Sequence, residues 1–187
     1  ESTLLALTSA YSAFPNHGVR MEPAQVLSVS DRSWVTLEEH TPVARDAIRA
    51  DTAYVMTSLL RGVVQRGTAA SAAALKWPLA GKTGTVNDYT DAWFVGFDPE
   101  ITLGVWLGHD EKKPIGNGET GTTAALPIWI DIMRGWLEDR DREHPPEFEA
   151  PGNIVFMPVD RHTGQPVDDD TPQAITEAFI TGTQPSR

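Results

Sequence analysis

Four stretches of this chain place apolar residues at helical spacing. Leu4, Leu7, Tyr11 and Phe14 recur at three to four residues, and Asn16-His17-Gly18 supplies a C-terminal stop. Met56, Leu59, Leu60, Val63 and Val64 form a stripe for a second helix, which Asp51 or Thr52 can cap and Gly67 can end. Ala69 to Leu75 is Ala-rich and predicts a short helix. Ala125, Ile128, Trp129, Ile132, Met133 and Trp136 make a strong final helical face, with Pro127 in its first turn. Elsewhere the period is two. Trp93, Val95 and Phe97 share one face of a strand over 92–97. Ile101, Leu103, Val105 and Leu107 alternate with Thr102, Gly104, Trp106 and Gly108, and Asp98-Pro99-Glu100 is the turn between the two. Asn87-Asp88-Tyr89-Thr90 is a turn before them. Leu79 to Val86 therefore reads as the first strand of a three-stranded antiparallel meander. Met21 to Leu37 holds two short β-rich runs, around Val26 to Val29 and Trp34 to Leu37.

After Trp136 the chain turns polar and proline-rich, as a linker or domain edge does. The tail from Asn153 predicts one hairpin around His162-Thr163-Gly164 and then a loosely ordered end. The expected division is residues 1–150 and a tail of 151–187. Helices set beside an antiparallel meander define an α+β fold. The chain opens on Glu1-Ser2-Thr3-Leu4, with a helical pattern starting almost at once, and so reads as the interior of a longer gene product.

Composition narrows the chemistry. The 187 residues carry a net charge of −11, and from Glu138 onward 11 acidic residues face 4 basic ones. An acidic surface argues against nucleic acid or an anionic membrane as the main partner. There is no cysteine, which excludes thiol catalysis, disulfides and thiolate metal sites. No apolar run is long enough to span a membrane. The five histidines, His17, His40, His109, His144 and His162, show no metal spacing. Asp168-Asp169-Asp170 lacks the calcium-loop pattern and reads as a solvated turn. Nothing in the spacing singles out a serine for Ser-His-Asp chemistry.

Two glycine-rich stretches imitate nucleotide sites. Gly81-Lys82-Thr83 ends like a P-loop, but the first glycine of that motif would fall at Lys76, and strands rather than a helix follow. Gly116-Asn117-Gly118-Glu119-Thr120-Gly121 fits the dinucleotide fingerprint by letter. It follows a charged, loop-like stretch and no parallel unit surrounds it, so it reads as a flexible loop feeding a helix.

On a strand, Lys82-Thr83-Gly84-Thr85 has a different use. Alternation sets Lys82 and Gly84 on one face and Thr83 and Thr85 on the other. The lysine supplies a fixed positive charge, the hydroxyls donate to a carboxylate, and Gly84 lets another backbone approach. An edge strand also pairs with an extended peptide. Together these make a site for a peptide bearing a carboxylate. A surface strand with two threonines is also common, so the four residues alone carry little weight.

A wider resemblance adds to them. Gly81-Lys82-Thr83-Gly84-Thr85 matches the third motif of penicillin-binding proteins and serine β-lactamases, which accompanies S-x-x-K and S-x-N motifs. "TLLALTSAYSAFPNHGVRMEP", "VMTSLLRGVVQRGTA", "DAWFVGFDPEITLGVWLGHD", "GTTAALPIWIDIM" and "EAFITGTQP" resemble, in order, further segments of the same domain. From about Thr3 to Pro185 the chain resembles the C-terminal part of the transpeptidase domain of a bifunctional (class A) penicillin-binding protein of the 1A type. The resemblance implies serine acyl transfer: a serine attacks the penultimate D-Ala carbonyl of a peptidoglycan stem peptide, and an amine of a neighbouring stem takes the acyl group. β-Lactam antibiotics acylate the same serine. It assigns electrostatic and proton-handling roles to Lys82, carboxylate binding to Thr83 and Thr85, and half of an oxyanion hole to the Thr85 N–H. It implies no metal or organic cofactor, and a periplasmic setting in cell-wall synthesis.

The nucleophile is not in this sequence. Three residues before Lys76, Lys82, Lys112 and Lys113 stand Ala73, Leu79, His109 and Asp110. Two before Asn16, Asn87, Asn117 and Asn153 stand Phe14, Thr85, Ile115 and Pro151. The expected partner is an N-terminal half of the same domain, preceding residue 1 and carrying S-x-x-K and S-x-N, together with a glycosyltransferase domain and a membrane anchor. The remaining strands of a five-stranded sheet would come from it. The competing readings are a non-catalytic module of the same fold that binds peptidoglycan or a partner, and a nucleotide-binding protein.

Overall fold

The computed structural model describes residues 2–186. Its centre is a three-stranded antiparallel sheet of β5 (Ala80–Thr85), β6 (Asp91–Phe97) and β7 (Thr102–Gly108), in that order. The predicted meander is present, with a 3₁₀ turn at Asn87–Tyr89 and the Asp98 turn between its strands. Asp98 is fully buried and accepts the amides of Glu100 and Ile101, both at 2.7 Å, and the indole N–H of Trp77 at 3.0 Å. One carboxylate thus closes the turn and ties down the segment leading into β5.

On one sheet face lies α3 (Leu126–Trp136), preceded without a break by a π turn at Gly121–Ala125. The π turn follows from Pro127, which lacks an N–H and is at home only at a helix start. Leu126, Trp129, Met133 and Leu137 are fully buried against Phe94 and Val105, and Phe94 meets Trp129 edge-on at 5.0 Å. The buried stripe is therefore Leu126, Trp129, Met133 and Leu137. Ile128 and Ile132 of the predicted face stand 42% and 49% exposed. The π turn adds a residue to the first turn and rotates the stripe.

The other face carries α1 (Leu4–Tyr11), while α2 (Ala50–Arg66) reaches both sides, with Leu60 in the cluster of Phe97 and Val64 in that of Phe94 and Trp129. Thr3 caps α1 by accepting the Ala6 amide. The helix stops at Tyr11, and a tightened turn carries Phe14 onto Phe97 before His17 and Gly18 reverse the chain at positive φ. In α2 the buried face is Ala53, Thr57, Leu60 and Val64, with Tyr54 beside it, whereas Leu59 is 53% exposed. Thr57 fits that face because its hydroxyl donates to Ala53 O on the same helix. Neither Asp51 nor Thr52 caps α2. The cap position is Arg49, without a side-chain bond, and Asp51 lies buried in the first turn.

Between these helices runs an exposed excursion. β1 (Val19–Met21) pairs with β4 (Ala44–Asp46), a pairing of three-residue strands too short to show a period. β2 (Ser28–Ser30) and β3 (Thr36–Glu39) pair beyond them, about two residues later than their apolar runs predict. Asp31 decides that shift: its carboxylate accepts the amides of Ser33 and Val35, and Trp34 takes φ +63° in the turn so formed.

The C-terminal segment is more ordered than its composition predicts. β8 (Ile154–Asp160) and β9 (Ala174–Ile180) pair over seven residues each. A tight turn does occur at 162–164, closed by Asp160, but the chain then bridges Val159 through Pro166 before it returns as β9. The hairpin sits on α2 through Tyr54 against Phe156, the Arg66–Glu177 ion pair, and the Asn153 side chain on Asp51.

Candidate active site

β5 is an edge strand. Its ladder runs only to β6, with Lys82 opposite Val95, Thr83 opposite Phe94, Gly84 opposite Trp93 and Thr85 opposite Ala92. Among the described residues no strand pairs with its outer side, which leaves backbone donors and acceptors there for an extended ligand. A P-loop is ruled out by this placement, because a 3₁₀ turn and a strand follow Lys82 where a helix N-terminus would be needed.

The four side positions are held differently. Lys82 is exposed, and its ammonium donates to Thr83 O at 2.8 Å and lies 3.5 Å from Thr83 Oγ1. Thr83 is half-buried, with its hydroxyl 3.0 Å from that of Thr68. Thr85 is exposed, and its Oγ1 accepts the Gly121 N–H at 3.1 Å. Gly84 lies beneath the start of the last helix. A Cβ on Gly121 would stand 2.7 Å from Gly84 O, 3.1 Å from Gly84 N and 2.5 Å from Trp93 O. Only a glycine at 121 lets that backbone reach β5. The structure thus brings Lys82 and Thr83 together and ties Thr85 to the helix start.

Three participants carry no signal of their own in the sequence. Gly121 ends the stretch that imitates a dinucleotide fingerprint. Its observed use is to open a helix against β5, with Thr120 capping the turn by accepting the Thr123 amide. Thr68 follows the helix-ending Gly67, and Thr122 donates to Thr68 O at 3.4 Å. Thr68, Thr83 and Thr122 come from the end of α2, from β5 and from the start of the last helix, so only folding assembles them.

Beyond the C-terminal end of β5 a cleft of about 650 Å³ is lined by Val86, Asp91, Trp93, Trp106, His109 and Lys112, among others. Trp106 donates its indole N–H to Asp91 at 2.9 Å, and its ring lies 6.0 Å from that of Trp93. Among the described residues no group of His, Asp and Glu is placed to hold a metal ion. Nor is any described helix long and apolar enough to cross a membrane.

An antiparallel sheet flanked by helices defines an α+β protein, and its edge strand presents an ammonium and two hydroxyls. Comparison with known proteins specifies the class. Residues 1–134 match the penicillin-binding protein transpeptidase domain, and the chain belongs to that family. It is 40% identical over 190 residues to penicillin-binding protein 1A of Aquifex aeolicus, covering 99% of this chain and 25% of that protein. It is 44% identical over 145 residues to penicillin-binding protein 1A of Pseudomonas aeruginosa, covering 77% and 17% respectively. The crystal structure of penicillin-binding protein 1A from Haemophilus influenzae superposes with a TM-score of 0.88 at 26% identity, over 100% of this chain and 33% of that one. The D,D-transpeptidase domain of a peptidoglycan glycosyltransferase from Eggerthella lenta superposes with a TM-score of 0.61 at 30% identity, over 73% of this chain and 32% of that one. The chain spans between about a sixth and a quarter of the length of the curated relatives it matches.

Proposed function

We propose that these residues form the carboxylate-binding wall of a serine D,D-transpeptidase that cross-links peptidoglycan stem peptides outside the cytoplasmic membrane. The observation that carries this reading is the open-edged Lys82-Thr83-Gly84-Thr85 strand in a domain of the transpeptidase family. The nucleophilic serine, its lysine base and the S-x-N motif come from outside these 187 residues, which contain neither pattern. The serine Oγ attacks the penultimate D-Ala carbonyl and gives up its proton. The peptide C–N bond breaks, and the terminal D-Ala leaves with that proton on its amine. An amine of a second stem then attacks the acyl ester, and the serine recovers its proton. A β-lactam follows the same first step, but its ring opens without releasing a group.

In this scheme Thr83 and Thr85 hold the terminal carboxylate with Lys82 beside them, and Gly84 lets the substrate backbone lie along β5. The Thr85 N–H is one of two oxyanion donors, an interaction worth roughly 10²–10³ in rate. Residues 1–150 form the C-terminal part of the transpeptidase domain, and 151–187 form a tail docked on α2. The test is acylation of the intact gene product by a labelled penicillin. Wild type is expected to form one stable adduct, and Lys82→Ala to lose about 10²-fold in acylation rate, as loss of a preorganised charge does. Failure of the wild-type protein to label, or an upstream sequence without S-x-x-K, refutes the reading.

A further inference from the structure

We propose that Thr68 is a positioning residue for this reaction: it donates its hydroxyl proton to Thr83 Oγ1, which leaves the proton of Thr83 for the substrate carboxylate. The inference rests on the transpeptidase reading and adds to it a residue outside the Lys-Thr-Gly-Thr strand.

A threonine hydroxyl has one proton to give and two lone pairs to accept with. Thr85 shows how the protein uses this. The Gly121 N–H can only donate, so Thr85 Oγ1 accepts from it at 3.1 Å and keeps its own proton free. At Thr83 the equivalent neighbour is the Thr68 hydroxyl at 3.0 Å. The Lys82 ammonium, which has no acceptor, lies 3.5 Å from the same oxygen and turns the Thr83 proton away from itself. Once a carboxylate is bound, it is the strongest acceptor in the group. The chain Thr68 O–H to Thr83 O–H to carboxylate is then the one direction in which every hydrogen bond is made, and each link polarises the next.

Thr68 is also held as a positioning residue needs to be. The amides of its neighbours Gly67 and Ala69 both donate to Val63 O at 3.1 Å, which locks the segment to the end of α2. Ala69 is fully buried. A Cβ on Gly67 would stand 2.9 Å from Val63 Cα, so the chain is pressed against the helix there. Thr122 donates to Thr68 O and joins the segment to the helix that also supplies Gly121. The two substrate-facing hydroxyls are thus each oriented from behind, one by a backbone amide and one by Thr68.

The experiment measures acylation of the intact gene product by a labelled penicillin and by its methyl ester, which lacks the free carboxylate. Thr68→Val, which keeps the shape but removes the donor, is expected to slow acylation by the acid about fivefold, as loss of one ordinary hydrogen bond does. It should leave acylation by the ester nearly unchanged. Thr68→Ser should restore the rate, and in a Thr83→Ala background Thr68→Val should add no further loss. A Thr68→Val protein that labels at the wild-type rate overturns the role of Thr68 alone. So does one that slows equally with acid and ester, or whose effect multiplies with that of Thr83→Ala. A wild-type protein that does not label at all overturns the transpeptidase reading, and the role of Thr68 with it.

Discussion

Gly121 carries the tightest constraint in the site, although its letter context is that of an ordinary loop. The three atoms that a Cβ would meet belong to the backbones of Gly84 and Trp93, paired across β5 and β6, and none can swing aside as a side chain would. Gly121→Ala must displace either β5 or the start of the last helix. We expect a loss of about 1–3 kcal/mol in urea denaturation, the usual cost of forced overpacking, and slower acylation of the intact gene product. Gly135→Ala is the control. That glycine lies inside α3 with nothing within 4 Å of an added Cβ, so alanine there should be neutral or stabilising by about 0.5–1 kcal/mol. Equal denaturation midpoints for the two variants would show that the close approach at Gly121 is not a constraint. Lys82 and the two threonines of β5 are legible in the sequence because their types and spacing are chemical. Thr68 and Thr122 are not, because a threonine after a helix end and one in a first turn have many other uses.

At the scale of elements, α2 does more than cover the sheet. Its first turn holds Asp51, which binds the Arg49 guanidinium and accepts the Asn153 amide at 2.8 Å. The hydrogen bond from Arg49, followed by that from Asn153, lowers the pKa of Asp51 to about 2. A carboxylate depressed in the folded protein adds stability above its ordinary pKa of about 3.9 and loses it as pH falls through the folded value. The clasp between α2 and the C-terminal hairpin should therefore be intact at neutral pH and weaken from about pH 4 down to about pH 2. Hydrogen exchange of the β8–β9 amides measures this. Protection that does not change over that window would show that Asp51 does not hold the hairpin. Asn153→Ala should raise the lower end of that window and shrink the loss, because it brings the folded pKa of Asp51 closer to the ordinary value. The element types were readable from period: helices at three to four, the meander at two. Their faces were less so. Leu59, Ile128 and Ile132 fit the predicted stripes, yet they stand substantially exposed. One π turn and one self-satisfied threonine are enough to rotate a helix by a residue, and neither has a periodic signature. The hairpin from 154 to 180 was underestimated for another reason. Its two strands are rich in apolar residues, but a long polar connection separates them, and their placement comes from contacts with α2 that are remote in sequence.

For the whole molecule, exposed apolar residues gather on several elements: Leu4 and Leu5 of α1, Val26, Leu27, Trp34 and Leu37 of the excursion, and Leu59 of α2. Soluble monomers rarely leave extensive apolar surface open. The 187 residues alone should therefore self-associate, with a sedimentation coefficient that rises with concentration. They should also form no covalent adduct with a labelled penicillin, since no S-x-x-K is present. A stable stoichiometric adduct on this chain would place a nucleophile within it and undo the assignment of the serine to sequence elsewhere.

The sequence by itself determined the element types, the α+β class, the Lys-Thr-Gly-Thr strand and the family. Each of these is local: a period, a spacing or a contiguous motif, and nearest-neighbour sterics write such features directly into the chain. Only the tertiary structure decided that β5 lies at the sheet edge, that Gly121 rests on Gly84, and that Thr68 reaches Thr83. Those contacts join segments 15 to 37 residues apart. They depend on how helices and sheet stack, which is set by the summed burial of residues such as Phe94, Trp129 and Leu126 and not by any one stretch of sequence.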